Sequence, residues 1–294
     1  MKRAYMLLLC CAAIVGCSRQ SDFYVNEKQI GMEVFVENGY YTDALTKGAL
    51  VEDKESINGF GAAVYCGDDL AIQYAAAQKI QGEDNLWSFP AGSALLCGDT
   101  FTCYAMSPTQ QDGRSGISVV SGEASFTYSL PSCNSSAQND LLMAVSSVTV
   151  HKSDETVVIP LHFEHPLSAV KFSIKAGIEG LSISRIALTG LSSAATCSTT
   201  TGNDFIWSDY SGKAEYEMSG DDTFVVIPQV LGPDAAAIID VVQDGVAKHS
   251  VTSLDGVELE PGHALRLVIG KEGEVTIVGS SAIDFTNESE DIFQ

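Results

Sequence analysis

The sequence runs to 294 residues with 38 acidic and 16 basic side chains, a formal net charge of −22. A surface this acidic repels nucleic acid and anionic lipid headgroups, which excludes both as partners recognised by charge. No P-loop, GxSxG, HExxH or helix-opening GxGxxG is present, so neither an enzyme nor a cofactor is indicated.

Lys2 and Arg3 precede an apolar run from Ala4 to Gly16, too short to span a bilayer but suited to the core of a secretion signal. Ile14-Val15-Gly16-Cys17 resembles a bacterial lipobox. Residues 1–16 are therefore expected to be a signal peptide, with Cys17 acylated at the head of a lipidated linker over residues 17–29. Each buried methylene of such an anchor contributes about 0.8 kcal/mol. Loss of Lys2 and Arg3 with the signal moves the net charge from −22 to −24. The remaining length is that of two ordinary domains, placed at residues 30–150 and 151–294.

Along the rest of the chain, short β-branched and aromatic runs alternate with Gly, Ser, Asn and Asp, the pattern of an all-β sandwich. Strands are predicted at 33–36, 61–65, 116–120, 124–128, 224–227, 237–242, 265–269 and 274–278. Glu272-Gly273 reads as the turn of a hairpin closing the last two. The alanine-rich stretch 70–81 reads as strand, because Leu70, Ile72, Tyr74 and Ala76 alternate.

Residues 157–172 contain His162-Phe163-Glu164-His165, two histidines at a spacing that invites a metal. Ile159, Leu161, Phe163, His165 and Leu167 share one parity, however, and His162 and Glu164 the other. Period two puts the imidazoles on opposite faces of a strand, so they cannot chelate one ion. His165 is expected to be a hydrogen-bonded core residue. From Val170 the phase shifts by one, which implies a bulge or a bend between sheets near 166–169.

With Cys10 and Cys11 in the signal and Cys17 given to lipid, Cys66, Cys97, Cys103, Cys133 and Cys197 remain. An odd count without CxxC spacing defines neither a disulfide framework nor a zinc site. A Cys97–Cys103 bridge and buried free thiols both stay open. Cys66-Gly67-Asp68 and Cys97-Gly98-Asp99 read as turns. Asn203-Asp204 and Asp221-Asp222 lack the spacing of a calcium loop. Trp87 and Trp207 read as core residues, and no metal is expected.

Asp140-Leu141-Leu142-Met143-Ala144 is followed by Phe163-Glu164-His165 and a small-residue bend. Phe60–Tyr65, Trp87-Ser88-Phe89-Pro90, Tyr104-Ala105-Met106-Ser107-Pro108 and Ile227-Pro228-Gln229 stand in a collinear order with them over about residues 25–285. Together these segments resemble the Bacteroidales fimbrillin-like proteins, the first pair resembling that family's hallmark.

The resemblance implies two transthyretin-like (Greek-key) β-sandwich domains in tandem and a lipoprotein of the outer membrane. It implies a fimbrial subunit or adhesin, in a stalk, anchor, accessory or tip position, working by donor-strand exchange and not by catalysis. The first strand, with Met32, Val34 and Val36 on one face, would be removed by proteolysis. A strand from another subunit would then fill the groove. Thr46-Lys47-Gly48 stands where the family usually carries Thr-Arg-x, so Lys47 and Gly48 are the candidate maturation site with lysine in place of arginine. Ile283 and Phe285 mark the candidate donor segment. Partners would be other fimbrial subunits, the membrane through the lipid, and a host or bacterial surface receptor or glycan. The rival reading is a surface glycan-binding lipoprotein that does not polymerise, with Tyr40, Tyr41, Trp207 and Tyr210 as its ligand face.

Overall fold

A computed structural model of the chain describes residues 29–36, 57–83, 85–91, 93–95, 98–110, 113–151, 153–154, 156–200, 204–218 and 223–281. The described residues are almost wholly strand, with a single 3-10 turn at Ser135–Ala137. None of their helices is long and apolar enough to cross a membrane.

The first half of the chain carries β1 (Gln29–Val36), β2 (Gly61–Cys66), β3 (Asp69–Ala76), β4 (Gln78–Lys79), β5 (Leu86–Ser88) and β6 (Thr100–Ser107). It continues through β7 (Ser118–Val120), β8 (Glu123–Ser129), β9 (Leu142–Thr149) and β10 (Thr156–Phe163). The second half carries β11 (Ser168–Ile174), β12 (Leu181–Thr199), β13 (Phe205–Glu217), β14 (Thr223–Val226) and β15 (Gln229–Val230). It ends with β16 (Ala236–Gln243), β17 (Val246–Ser253), β18 (Glu258–Leu259), β19 (Ala264–Ile269) and β20 (Val275–Ser281).

All eight strands expected from period-two runs are present, and 70–81 is β3 and β4 as expected. Two long strands, β12 and β13, were missed by that reading. β12 runs 19 residues because it changes partners along its length, from β16 over Leu181–Thr189 to β8 over Ala194–Thr199. Register shifts accommodate the change. Gly190 sits in it at φ +79, where an added Cβ would lie 2.3 Å from the Asp234 carbonyl oxygen. Gly190→Ala is therefore expected to lower stability by at least about 2 kcal/mol in a denaturant titration, through strain and backbone collision together.

Four-stranded sheets form in the orders β10-β1-β5-β4, β3-β2-β6-β9 and β14-β11-β19-β20. A six-stranded sheet runs β17-β16-β12-β8-β7 with β13 beside β12, and β15 pairs β18. The chain leaves the β1 sheet at Phe163 and enters the β11 sheet at Ser168. The phase shift in the sequence is thus a bend between sheets. Pairing crosses residue 150 both ways: β8 joins β12, and β10 joins β1.

The buried side chains fall into two clusters. One is built on Ile30, Met32, Phe60, Trp87 and Phe163, the other on Tyr128, Trp207, Tyr216 and Phe224. β6 and β9 serve both, because alternate side chains of a strand face opposite ways. Cys103, Ala105, Leu142 and Ala144 enter the first cluster, while Tyr104, Met106, Leu141 and Met143 enter the second.

Polar side chains finish what the ladders leave open. The Gln138 amide donates to Val225 O at 2.9 Å and accepts from Val225 N at 2.8 Å, occupying backbone groups of β14. Gln229, the glutamine of the Pro-Gln pair, accepts from Ser192 N at 2.9 Å within the irregular stretch of β12. Neither pairing is visible in sequence.

Candidate functional site

β1 is the element that the sequence singled out, and its seat is the candidate site. Ile30, Met32 and Val34 alternate along it and are 5, 0 and 2 % exposed, while Val36 packs half-buried against the same core. Burying an aliphatic side chain of this size contributes about 1.5–3 kcal/mol. Three such residues make β1 a major part of that core.

The strand lies between two neighbours. It runs parallel to β10 in unbroken register from Gln29↔Thr156 to Val36↔Phe163. On its other side it runs antiparallel to β5 through Gly31↔Ser88, Met32↔Trp87 and Glu33↔Leu86. Val34 N donates to Asn85 O at 3.2 Å. On the outward face Phe35 stacks on His162, with ring centroids 4.7 Å apart and planes 14° from parallel. Gly31 also faces outward, where a Cβ would meet Leu86 Cδ1 at 3.2 Å, so the seat favours a small residue there.

Taken away, β1 would leave a slot with unpaired backbone groups on both walls, β10 and β5, whose Ile159, Leu161 and Trp87 face the same apolar core. Such a slot accepts an extended segment with apolar side chains at alternate positions. Lys47, Gly48, Cys17, Ile283 and Phe285 lie outside the described residues, as do Tyr40, Tyr41 and Asp221-Asp222.

The histidines part as period two requires. His162 is on the outer face against Phe35, while His165 is 2 % exposed. His165 Nδ1 lies 2.8 Å from Asp140 Oδ2, and Asp140 Oδ1 accepts from Leu141 N at 2.8 Å. Sequence reasoning expected a core histidine but did not find its partner. Among the described residues no group of three or more His, Cys, Asp and Glu is arranged to hold a metal.

Trp87 and Trp207 are core residues, 7 and 9 % exposed. Trp207 Nε1 donates to Pro166 O at 2.8 Å, fastening the bend between sheets. It is not available as a sugar platform, so the glycan face envisaged for the rival reading loses its indole. The Tyr210 hydroxyl is taken up by Pro228 O at 2.9 Å.

Cys66, Cys103, Cys133 and Cys197 are free thiols, which removes the Cys97–Cys103 bridge. Burial pushes the Cys103 thiol up to about 12 and raises Cys197 as well. An unfolded thiol ionises near pH 8.5. A group raised in the folded state contributes its stability in full below that pH and loses it progressively as pH climbs toward 12. Iodoacetamide at pH 8 is accordingly expected to spare Cys103 and Cys197 in the native protein and to label them in guanidinium. Stability should decline above about pH 9.

The molecule is thus an all-β sheet protein whose first strand is seated between two neighbours over one of its two buried cores. The fimbrillin-like family model matches residues 72–284, and the chain belongs to that family. A structure from Bacteroides ovatus, described as a candidate cell adhesion protein, superposes with a TM-score of 0.55 at 17 % identity. The match covers 87 % of this chain and 97 % of that one. A Bacteroides uniformis structure of the same description gives 0.55 at 16 % identity over 86 % and 97 %. A fimbrial assembly protein from Parabacteroides distasonis gives 0.50 at 12 % identity over 86 % and 100 %. These likenesses establish the shared fold. A search of the curated proteins finds no match.

Proposed function

We propose that the protein is a surface fimbrial subunit or adhesin that reaches the membrane as a lipoprotein acylated at Cys17 and, once proteolysis has removed that anchor together with β1, joins other subunits by taking a neighbour's strand in place of β1. The observation that carries this reading is the seat of β1: an eight-residue strand held in register on one side and through three residue pairs on the other. Its apolar residues are buried in the core. The relatives' descriptions as fimbrial and adhesion proteins support the same role.

Cleavage after Lys47 would release β1 and open the slot. The chain's own C-terminal segment suits that slot in one register. Ala282-Ile283-Asp284-Phe285 aligns with Gly31-Met32-Glu33-Val34, giving small, apolar, acidic and apolar residues in the same order. Alanine suits the position of Gly31 because the atom it would crowd is the end of a flexible leucine.

The test is made on surface-sheared protein from the expressing bacterium. Sequencing should give an N-terminus at Gly48, unboiled gels should show a ladder, and an Ile283→Asp/Phe285→Asp variant should lose it. A chain that keeps an acylated Cys17 and runs as a monomer under all these conditions would refute strand replacement.

A further inference from the structure

Beside β1, on the outward face of its sheet, lies a cleft of about 590 Å³ that the strand-replacement reading does not use. Gly31 lies beneath it, and Ile80, Leu86, Phe89, Pro90 and Val158 form much of its wall. Val158 is 43 % exposed, a large apolar side chain on an open sheet face. Among the described residues lining the cleft none is charged, in a chain with 38 carboxylates and 16 cations. A neutral, largely apolar depression of this size needs an apolar occupant with little charge of its own.

The register of β1 indicates where such an occupant lies. Gln29 pairs with Thr156, and the antiparallel register with β5 carries the start of β1 toward Pro90. Thr156 and Pro90 both line the cleft, so the chain preceding Gln29 leaves from its rim. That preceding segment reads Ser18-Arg-Gln-Ser-Asp-Phe-Tyr-Val-Asn-Glu-Lys28, polar except for Phe23-Tyr24-Val25. An extended chain covers about 3.4 Å per residue, so Val25 reaches about 14 Å from Gln29 and Phe23 about 20 Å. This is enough to fold back across the cleft.

We infer that Phe23-Tyr24-Val25 dock in this cleft as a strap, covering the start of β1 from outside. Docking would bring Ile30 and Gly31 under cover on both faces and tie the linker that begins at Cys17 to one face of the molecule. The inference does not depend on strand exchange, because it concerns the chain before any cut.

The test is disulfide trapping in the chain from Cys17 onward, before any cut after Lys47. A Tyr24→Cys/Ser93→Cys pair should oxidise to an intramolecular bond at least about tenfold faster than a Tyr24→Cys/Ser118→Cys control, with the linked peptides identified by mass. Equal rates, or a bond that is mainly intermolecular, would overturn the strap. A second measurement guards against a misfolded pair. In a Phe23→Ser/Tyr24→Ser/Val25→Ser variant, amide exchange over 86–93 should speed up by about tenfold, and unchanged protection there would also sink the idea.

Discussion

Asp140→Ala is expected to lower the stability of the protein by about 3–5 kcal/mol, the largest loss for any single polar side chain among the described residues. The carboxylate is fully enclosed and meets two demands at once, His165 Nδ1 at 2.8 Å and the Leu141 N–H at 2.8 Å. Truncation leaves a buried imidazole and a buried backbone donor without their acceptor, and a broken buried pair costs far more than an intact one contributes. Asp140→Asn keeps the shape and an acceptor oxygen, so its loss should be about 1–2 kcal/mol. Guanidinium titration of the two variants checks the pair. Equal losses below about 1 kcal/mol would mean that the contact is dispensable.

Met32→Ala should cost about 2–5 kcal/mol, because its side chain is 0 % exposed at the centre of β1 and its removal leaves a cavity between Trp87 and the β10 residues. Glu33→Gln, one residue along and on the other face, should change stability by less than about 0.5 kcal/mol. The contrast is the informative part. If β1 were laid loosely over a finished core, Met32→Ala would be as mild as its neighbour. Amide exchange in β10 should rise in the methionine variant alone, since that strand loses the packing that holds its inner partner.

Much of this architecture was legible because a half-buried strand writes its two faces into alternate residues. Ile159, Leu161 and Phe163 fixed the facing of β10, and with it the separation of His162 from His165. The shift at Val170 marked the bend that Trp207 fastens. What escaped was information held in pairs far apart in sequence. Nothing around Gln138 announces Val225, 87 residues away, and nothing near His165 names Asp140. β12 and β13 escaped for a different reason. Their Ser, Thr, Ala and Gly residues carry little alternation, and β12 pairs first with β16 and then with β8 while β13 runs along it. The order β10-β1-β5 could not be read from residues either, because parallel pairing leaves no turn signature between its strands.

The flanking of β1 on both sides has a mechanical consequence. A tug along the axis of a strand gripped by two neighbours strains every rung of the ladder simultaneously, whereas an edge strand pulled sideways peels one rung at a time. Any backbone occupying that seat, native or borrowed, would therefore resist a pull directed along its own axis more than one directed across it.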